Sequence, residues 1–181
     1  NGGWHDAADV AQSLPNTSEG AAALLALAIS LEGRGFDRLR DRVIDEAKWG
    51  LDYVLKMRFG DGYRATYSSA SIWTDGVIGS HDDITTEASD NAFVNFGAAY
   101  AELLGARVFA DRDPDFARFC KNTAEEDYRF GKQVWEEKNA LEGRPYKRGG
   151  QPFANSDVID AQIAPMGALA AAELYALTGK E

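Results

Sequence analysis

Apolar residues recur at three- and four-residue intervals along most of this chain. Leu39, Val43, Ala47, Leu51, Val54 and Leu55 form one stripe of a helix running from Asp37 to about Met57. Lys and Arg alternate with Asp and Glu on its other face, which reads as a solvated surface. Upstream, the small apolar run Ala21 to Leu31 predicts a helix beginning near Asn16, where Asn16 and Glu19 have capping-box spacing. Gly33 and Gly35 end it, and Asp37 is placed to cap the next helix. A third helix is expected from about Thr85 to Ala110. After a turn at Asp111 to Asp113, Pro114 opens a fourth that ends near Trp135. The last runs from about Val158 to Thr178, with Gly179 as its stop and Pro165 either beginning its main part or kinking it. Nothing alternates with period two for long enough to predict a sheet. The pattern is an all-α single domain, residues 1–181, built from paired helices.

Two stretches lack a helical period, residues 58–84 and about 139–157. Unstructured connections this long are often functional in a compact domain. The first carries Tyr63, Tyr67, Trp73 and His81, and the second Tyr146 and Phe153. Aromatic rings in loops suit the apolar faces of sugar rings, and each can equally pack under its own loop. Trp49, Trp135 and the Phe residues at helical spacing read as core.

Composition narrows the function classes. A chain of 181 residues that is 45% hydrophobic can bury a real core. Twenty-nine acidic against 19 basic residues leave a net charge of -10, which argues against nucleic acid and fits a neutral substrate. No apolar run is long enough for a membrane span, and no signal peptide is visible. The chain starts without Met and inside a motif, which reads as a fragment or trimmed product whose targeting signal lies elsewhere. Cys120 is the single cysteine, beside Phe116 and Phe119, and reads as a buried structural thiol.

The densest chemistry is at the start, Asn1-Gly2-Gly3-Trp4-His5-Asp6-Ala7-Ala8-Asp9-Val10. Two carboxylates three residues apart can divide the work of holding a water and taking its proton. The same spacing also suits aspartates that cap the next helix, so spacing alone leaves both readings open. His5 could contact a sugar hydroxyl, tune the aspartates, or serve as a hydrogen-bonded structural residue.

Gly2-Gly3-Trp4-His5-Asp6-Ala7-Ala8-Asp9 resembles the Gly-Gly-Trp-(Tyr/His)-Asp-Ala-Gly-Asp signature of glycoside hydrolase family 9, the inverting cellulases and related β-glucanases. Seven of eight positions match, the departure being Ala8 in place of Gly. Lys48-Trp49-Gly50-Leu51-Asp52-Tyr53 is similar to the core of that family's second barrel helix. Ser89-Asp90-Asn91-Ala92 leading to Ala106–Pro114, and Ala171 to Gly179, are similar to later helices and turns. The resemblance implies an (α/α)6 barrel of which this chain is about half, the N-terminal part of the catalytic domain. The remaining half of the barrel would be its partner. It implies Asp9 as general base and Asp6 as the residue that orients the attacking water. The catalytic acid, a late glutamate in the family, has no matching segment here and would lie beyond Glu181, leaving this chain alone inactive. Trp4, His5, Trp73 and His81 are the implied substrate contacts. For Trp73 and His81 only the loop corresponds, not the local motif. The implied activity is hydrolysis of β-glycosidic bonds in a cellulose-like glucan or related polysaccharide, secreted or periplasmic, with no cofactor.

Two other readings stand beside this one: another six-hairpin carbohydrate enzyme with different acid and base placement, and a non-catalytic glycan-binding protein on the same barrel. Ala8 favours the latter, since alanine is strained wherever φ is positive. His81-Asp82-Asp83 with Glu87 and Asp90 could hold a structural calcium through oxygen ligands, though a solvated acidic helix start is the simpler account.

Overall fold

A computed structural model describes residues 2–5, 11–68, 75–81, 88, 90–139, 147–148, 151–152 and 156–179. Among them are five helices, α1 (Leu14–Leu31), α2 (Asp37–Lys56), α3 (Ala92–Phe109), α4 (Pro114–Asn139) and α5 (Ser156–Thr178). Six short strands pair two by two: β1 (Gln12–Ser13) with β4 (Tyr67–Ser68), β2 (Arg58–Gly60) with β3 (Tyr63–Arg64), and β5 (Lys147–Arg148) with β6 (Gln151–Pro152). All three pairs are antiparallel. With two or three residues each, these strands are too short to leave a period-two signature, so sequence pattern missed them.

The helices lie in two layers. α3 packs on α1 on one side and α5 on the other, while α2 backs α1 and α4 backs α3. Leu14 of α1 meets Val94 and Ala98, and Phe96 and Leu103 of α3 meet Met166 and Leu174 in turn. The three inner helices therefore run parallel and begin at one end. Composition explains the layering. α3 is buried except at Phe93, Tyr100 and Arg107, so it carries Ala, Gly, Val and Leu nearly all round. α2 has one buried stripe, Val43 to Leu55, and a charged outer face where Lys48 pairs with Asp52. α1 and α5 leave apolar side chains in solvent, including Leu27, Leu169 and Tyr175.

Several boundaries differ from the pattern-based ones. α1 begins at Leu14, because Ser13 caps it by accepting a bond from the Asn16 amide and Pro15 suits the first turn. α2 starts at Asp37 itself, with Phe36 at the cap and no side-chain cap bond, so Asp37 acts on the helix dipole instead. α3 begins at Ala92 rather than near Thr85, since Asn91 accepts from the Phe93 amide at 3.0 Å and stops the helix extending upstream. α4 continues beyond Trp135 to Asn139, and α5 contains Pro165 in its interior. Trp49, expected in the core, is 48% exposed. Cys120 is buried against Gly105, as its neighbours suggested. Burial, with the charge of Glu102 adding to it, pushes that thiol well above the ordinary range.

One buried polar group was not anticipated. Arg64 is fully enclosed: Nη1 donates to the Val54 carbonyl at 2.6 Å, Nη2 to Glu102 Oε1 at 2.6 Å, and Nε to Asp127 Oδ1 at 2.8 Å. Asn95 Nδ2 donates to Asp127 Oδ1 and to the Gly62 carbonyl, both at 2.7 Å. Burial alone would lower the arginine's affinity for its proton, but the two carboxylates hold it above the usual value. This cluster pins the β2–β3 hairpin between α2, α3 and α4. It thereby sets where the chain leaves for β4.

Candidate active site

The motif segment enters along α2. Gly2 and Gly3 have φ of +107° and +73°, the left-handed region that glycine tolerates. They lie flush on α2: a Cβ at Gly3 would come within 2.7 Å of Tyr53 Cγ, and one at Gly2 within 2.9 Å of the Trp49 carbonyl oxygen. The Gly3 amide donates to the Trp49 carbonyl at 3.2 Å, and Trp49 Nε1 donates back to the Gly3 carbonyl at 2.9 Å. That reciprocal pair explains why Trp49 sits at the surface. Trp4 follows, half-buried, its ring wedged between Gly20 of α1 and Gly50 of α2, with Nε1 donating to Glu46 Oε1 at 2.8 Å.

Residues 6–10, which carry Asp6 and Asp9, lie outside the described residues, as do Ala8, Trp73, Tyr146 and Phe153. The chain on either side of residues 6–10 is held tightly. His5 is exposed, and its Nδ1 lies 3.2 Å from the Ala11 carbonyl oxygen, closing the neck of the segment. Gln12 Nε2 donates to the Gly2 carbonyl at 3.1 Å. β1 pairs Gln12 with Ser68 and Ser13 with Tyr67, and the Leu14 amide donates to the Thr66 carbonyl at 2.9 Å. Tyr53 ties the two sides together. Its ring supports the two glycines, and its hydroxyl donates to the Gln12 carbonyl at 2.7 Å and lies 3.0 Å from Ser68 Oγ.

The sequence-derived contacts therefore fall in different places. Trp4 and His5 stand at the entry to the aspartate segment. His81 is exposed on a turn organised by Asp75, whose Oδ1 accepts from the Val77 amide at 2.7 Å and from Ser80 Oγ at 3.2 Å. Tyr63 shows an exposed edge and packs on Phe130 at 4.9 Å between centroids. Gln12, Ser68 and the role of Tyr53 escaped sequence reasoning. Tyr53 belongs to the Lys-Trp-Gly-x-Asp-Tyr run, but nothing in one dimension links it to residue 12. Among the described residues, no three His, Cys, Asp or Glu side chains group as a metal site, and Asp82, Asp83 and Glu87 lie outside them.

The N-terminal ends of the inner helices, whose dipoles favour negative charge, gather on the side where the motif segment enters. The described helices are not long and apolar enough to cross a membrane.

A family model described as glycosyl hydrolase family 9 matches residues 1–181. No curated protein is significantly similar to the chain. Solved structures are. A metagenome-derived glycoside hydrolase family 9 endoglucanase shares 26% identity at a TM-score of 0.63, over 98% of this chain and 33% of that one. The cellulase Cel9M of C. cellulolyticium, solved with cellobiose, shares 21% at 0.64, over 99% and 41%. An endoglucanase from the termite Nasutitermes takasagoensis shares 18% at 0.65, also over 99% and 41%. The chain thus spans about a third to two-fifths of these relatives, and its layered helices correspond to part of their (α/α)6 barrel.

Proposed function

The chain belongs to glycosyl hydrolase family 9, and from that membership we propose that it supplies the base side of an inverting β-glucan hydrolase. Asp9 takes a proton from water as the water oxygen attacks the anomeric carbon. Asp6 holds that water in line. A carboxylic acid from the rest of the barrel gives its proton to the departing glycosidic oxygen. Attack opposite the leaving group inverts the anomeric centre. The substrate class is a cellulose-like β-glucan or a related polysaccharide, met outside the cytoplasm after secretion or export to a periplasm. The chemistry needs no cofactor.

One observation carries this reading. The chain on either side of residues 6–10 is tied down, by Gly2 to Trp4 on α2 and by Gln12 and Ser13 on β4. A general base has to be held within hydrogen-bonding reach of its water, and firmly held flanks serve that need. Trp4 enters the reading as an anchor, because its ring faces Gly20 and Gly50. His5, Trp73 and His81 are the proposed sugar contacts. The remaining barrel helices would cover Leu27 of α1 and Leu169 and Tyr175 of α5, and would fill the groove of about 240 Å³ lined by Ala22, Ala26, Gly97 and Met166.

The test uses the full-length protein carrying these residues, a panel of β-linked glucans, and NMR of the anomer released. An inverted product, with Asp9→Asn slower by about 10³ or more, is the expected result. Binding without cleavage would move the glycan-binding reading ahead. Undiminished cleavage by Asp9→Asn would remove the base assignment.

A further inference from the structure

We propose that Tyr53 is a positioning residue for the general base, and that its hydroxyl rather than its ring carries that role. The inference deepens the proposed hydrolase reading and rests on it.

Tyr53 is 4% exposed and lies in the last turns of α2. Its ring is the floor under Gly2 and Gly3, where the chain enters residues 6–10. Its hydroxyl sits where the chain leaves them. There it donates to the Gln12 carbonyl at 2.7 Å, accepts from the Ser68 amide at 3.3 Å, and meets Ser68 Oγ at 3.0 Å. The Gln12 side chain closes the circuit, donating to the Gly2 carbonyl at 3.1 Å and accepting from Ser68 Oγ at 3.3 Å. One rigid aromatic on a packed helix thus joins Gly2 and Gly3, β1 and β4. The β1–β4 ladder is only two residues long, so it sets little by itself. Removing the hydroxyl leaves the Gln12 carbonyl and the Ser68 amide to find other partners in a part-buried site. β1 is then free to shift relative to Gly2 and Gly3. Asp9 lies in the chain between these two flanks, and small misplacements of a general base are costly in rate.

The role separates Tyr53 from residues that bind sugar. Substrate contacts would be kept in Tyr53→Phe, so KM stays while kcat falls.

The experiment compares the full-length protein with Tyr53→Phe and Ser68→Ala on a soluble β-glucan. Expected is a fall in kcat of about tenfold or more in Tyr53→Phe with KM within about twofold. Ser68→Ala should lower kcat in the same way by less. Hydrogen exchange should show lost protection at the amides of Gln12 and Ser68, with the helical amides of α2 and α3 unchanged. Unchanged kcat in Tyr53→Phe, beside an active parent, would overturn the positioning role and leave the hydrolase reading intact. An inactive parent would remove the hydrolase reading and the positioning role together. Loss of α2 and α3 protection in Tyr53→Phe would also overturn it, by making the residue a general support of the fold.

Discussion

The indole of Trp4 occupies the space that a side chain at Gly50 would need. A Cβ at residue 50 would come within 2.4 Å of Trp4 Cη2 and 2.6 Å of Cζ3. Gly50 lies inside α2, where glycine costs about 1 kcal/mol relative to alanine, so its gain must come from the ring it admits.

Gly50→Ala should therefore destabilise the protein despite the better helix former, by about 1–3 kcal/mol, because the ring cannot give way between α1 and α2. In a Trp4→Leu background the same substitution should cost little. A double-mutant cycle followed by urea unfolding measures the difference, and additive effects would refute the contact.

Among the described residues, Arg64 is the positive charge that pairs with Glu102 and Asp127 in the buried cluster described above. Arg64→Met should cost about 3–5 kcal/mol, since the buried Asp127 carboxylate loses its counter-ion and Glu102 and the Val54 carbonyl lose their donor. Thermal unfolding reads the loss. A change under about 1 kcal/mol would mean that the hairpin is held by its backbone contacts alone.

Glu102 brings a pH dependence with a definite sign. Burial raises its carboxyl well above the ordinary range of about 4.5, the charge of Arg64 pulling it down and that of Asp127 adding to the rise. Among the described residues, its Oε2 has no hydrogen-bond partner. The folded state therefore holds a proton that the unfolded state releases. Below pH 4.5 both states are protonated and there is no cost. As pH climbs from there toward the raised folded value, stability is lost. Glu102→Gln carries no such proton and should flatten stability against pH as it rises above 4.5. Melting temperatures of both forms across that range are the check, and parallel curves would exclude Glu102 as the source.

Much of the fold was legible before any coordinates. The 3.6-residue stripe of α2, the Gly33–Gly35 stop and Pro114 each act through local backbone and solvation physics, which a linear sequence carries. Boundaries went astray where a cap decided them. Ser13 and Asn91 accept amide bonds that set the starts of α1 and α3, and Asn16 and Thr85 offered equally plausible starts in one dimension. The aspartates point to chemistry through the family motif around them rather than through their spacing, and they lie outside the described residues. The polar cluster left two traces on the mostly apolar α3, Asn95 and its lone acid Glu102.

By itself, then, the sequence determined the all-α class, the outer and inner character of the helices, and the motif that names the family. Those depend on residues close together along the chain. Only the tertiary structure decided that Trp4 fits Gly50, that Trp49 faces solvent to bond Gly3, that Arg64 is buried between two acids, and that Tyr53 reaches Gln12 and Ser68 at once. Each joins groups brought together by helix packing, some of them more than 40 residues apart, as Tyr53 and Gln12 are. Which partner a buried donor finds is set by where the packed helices place it, and that position is not written at any single place in the chain.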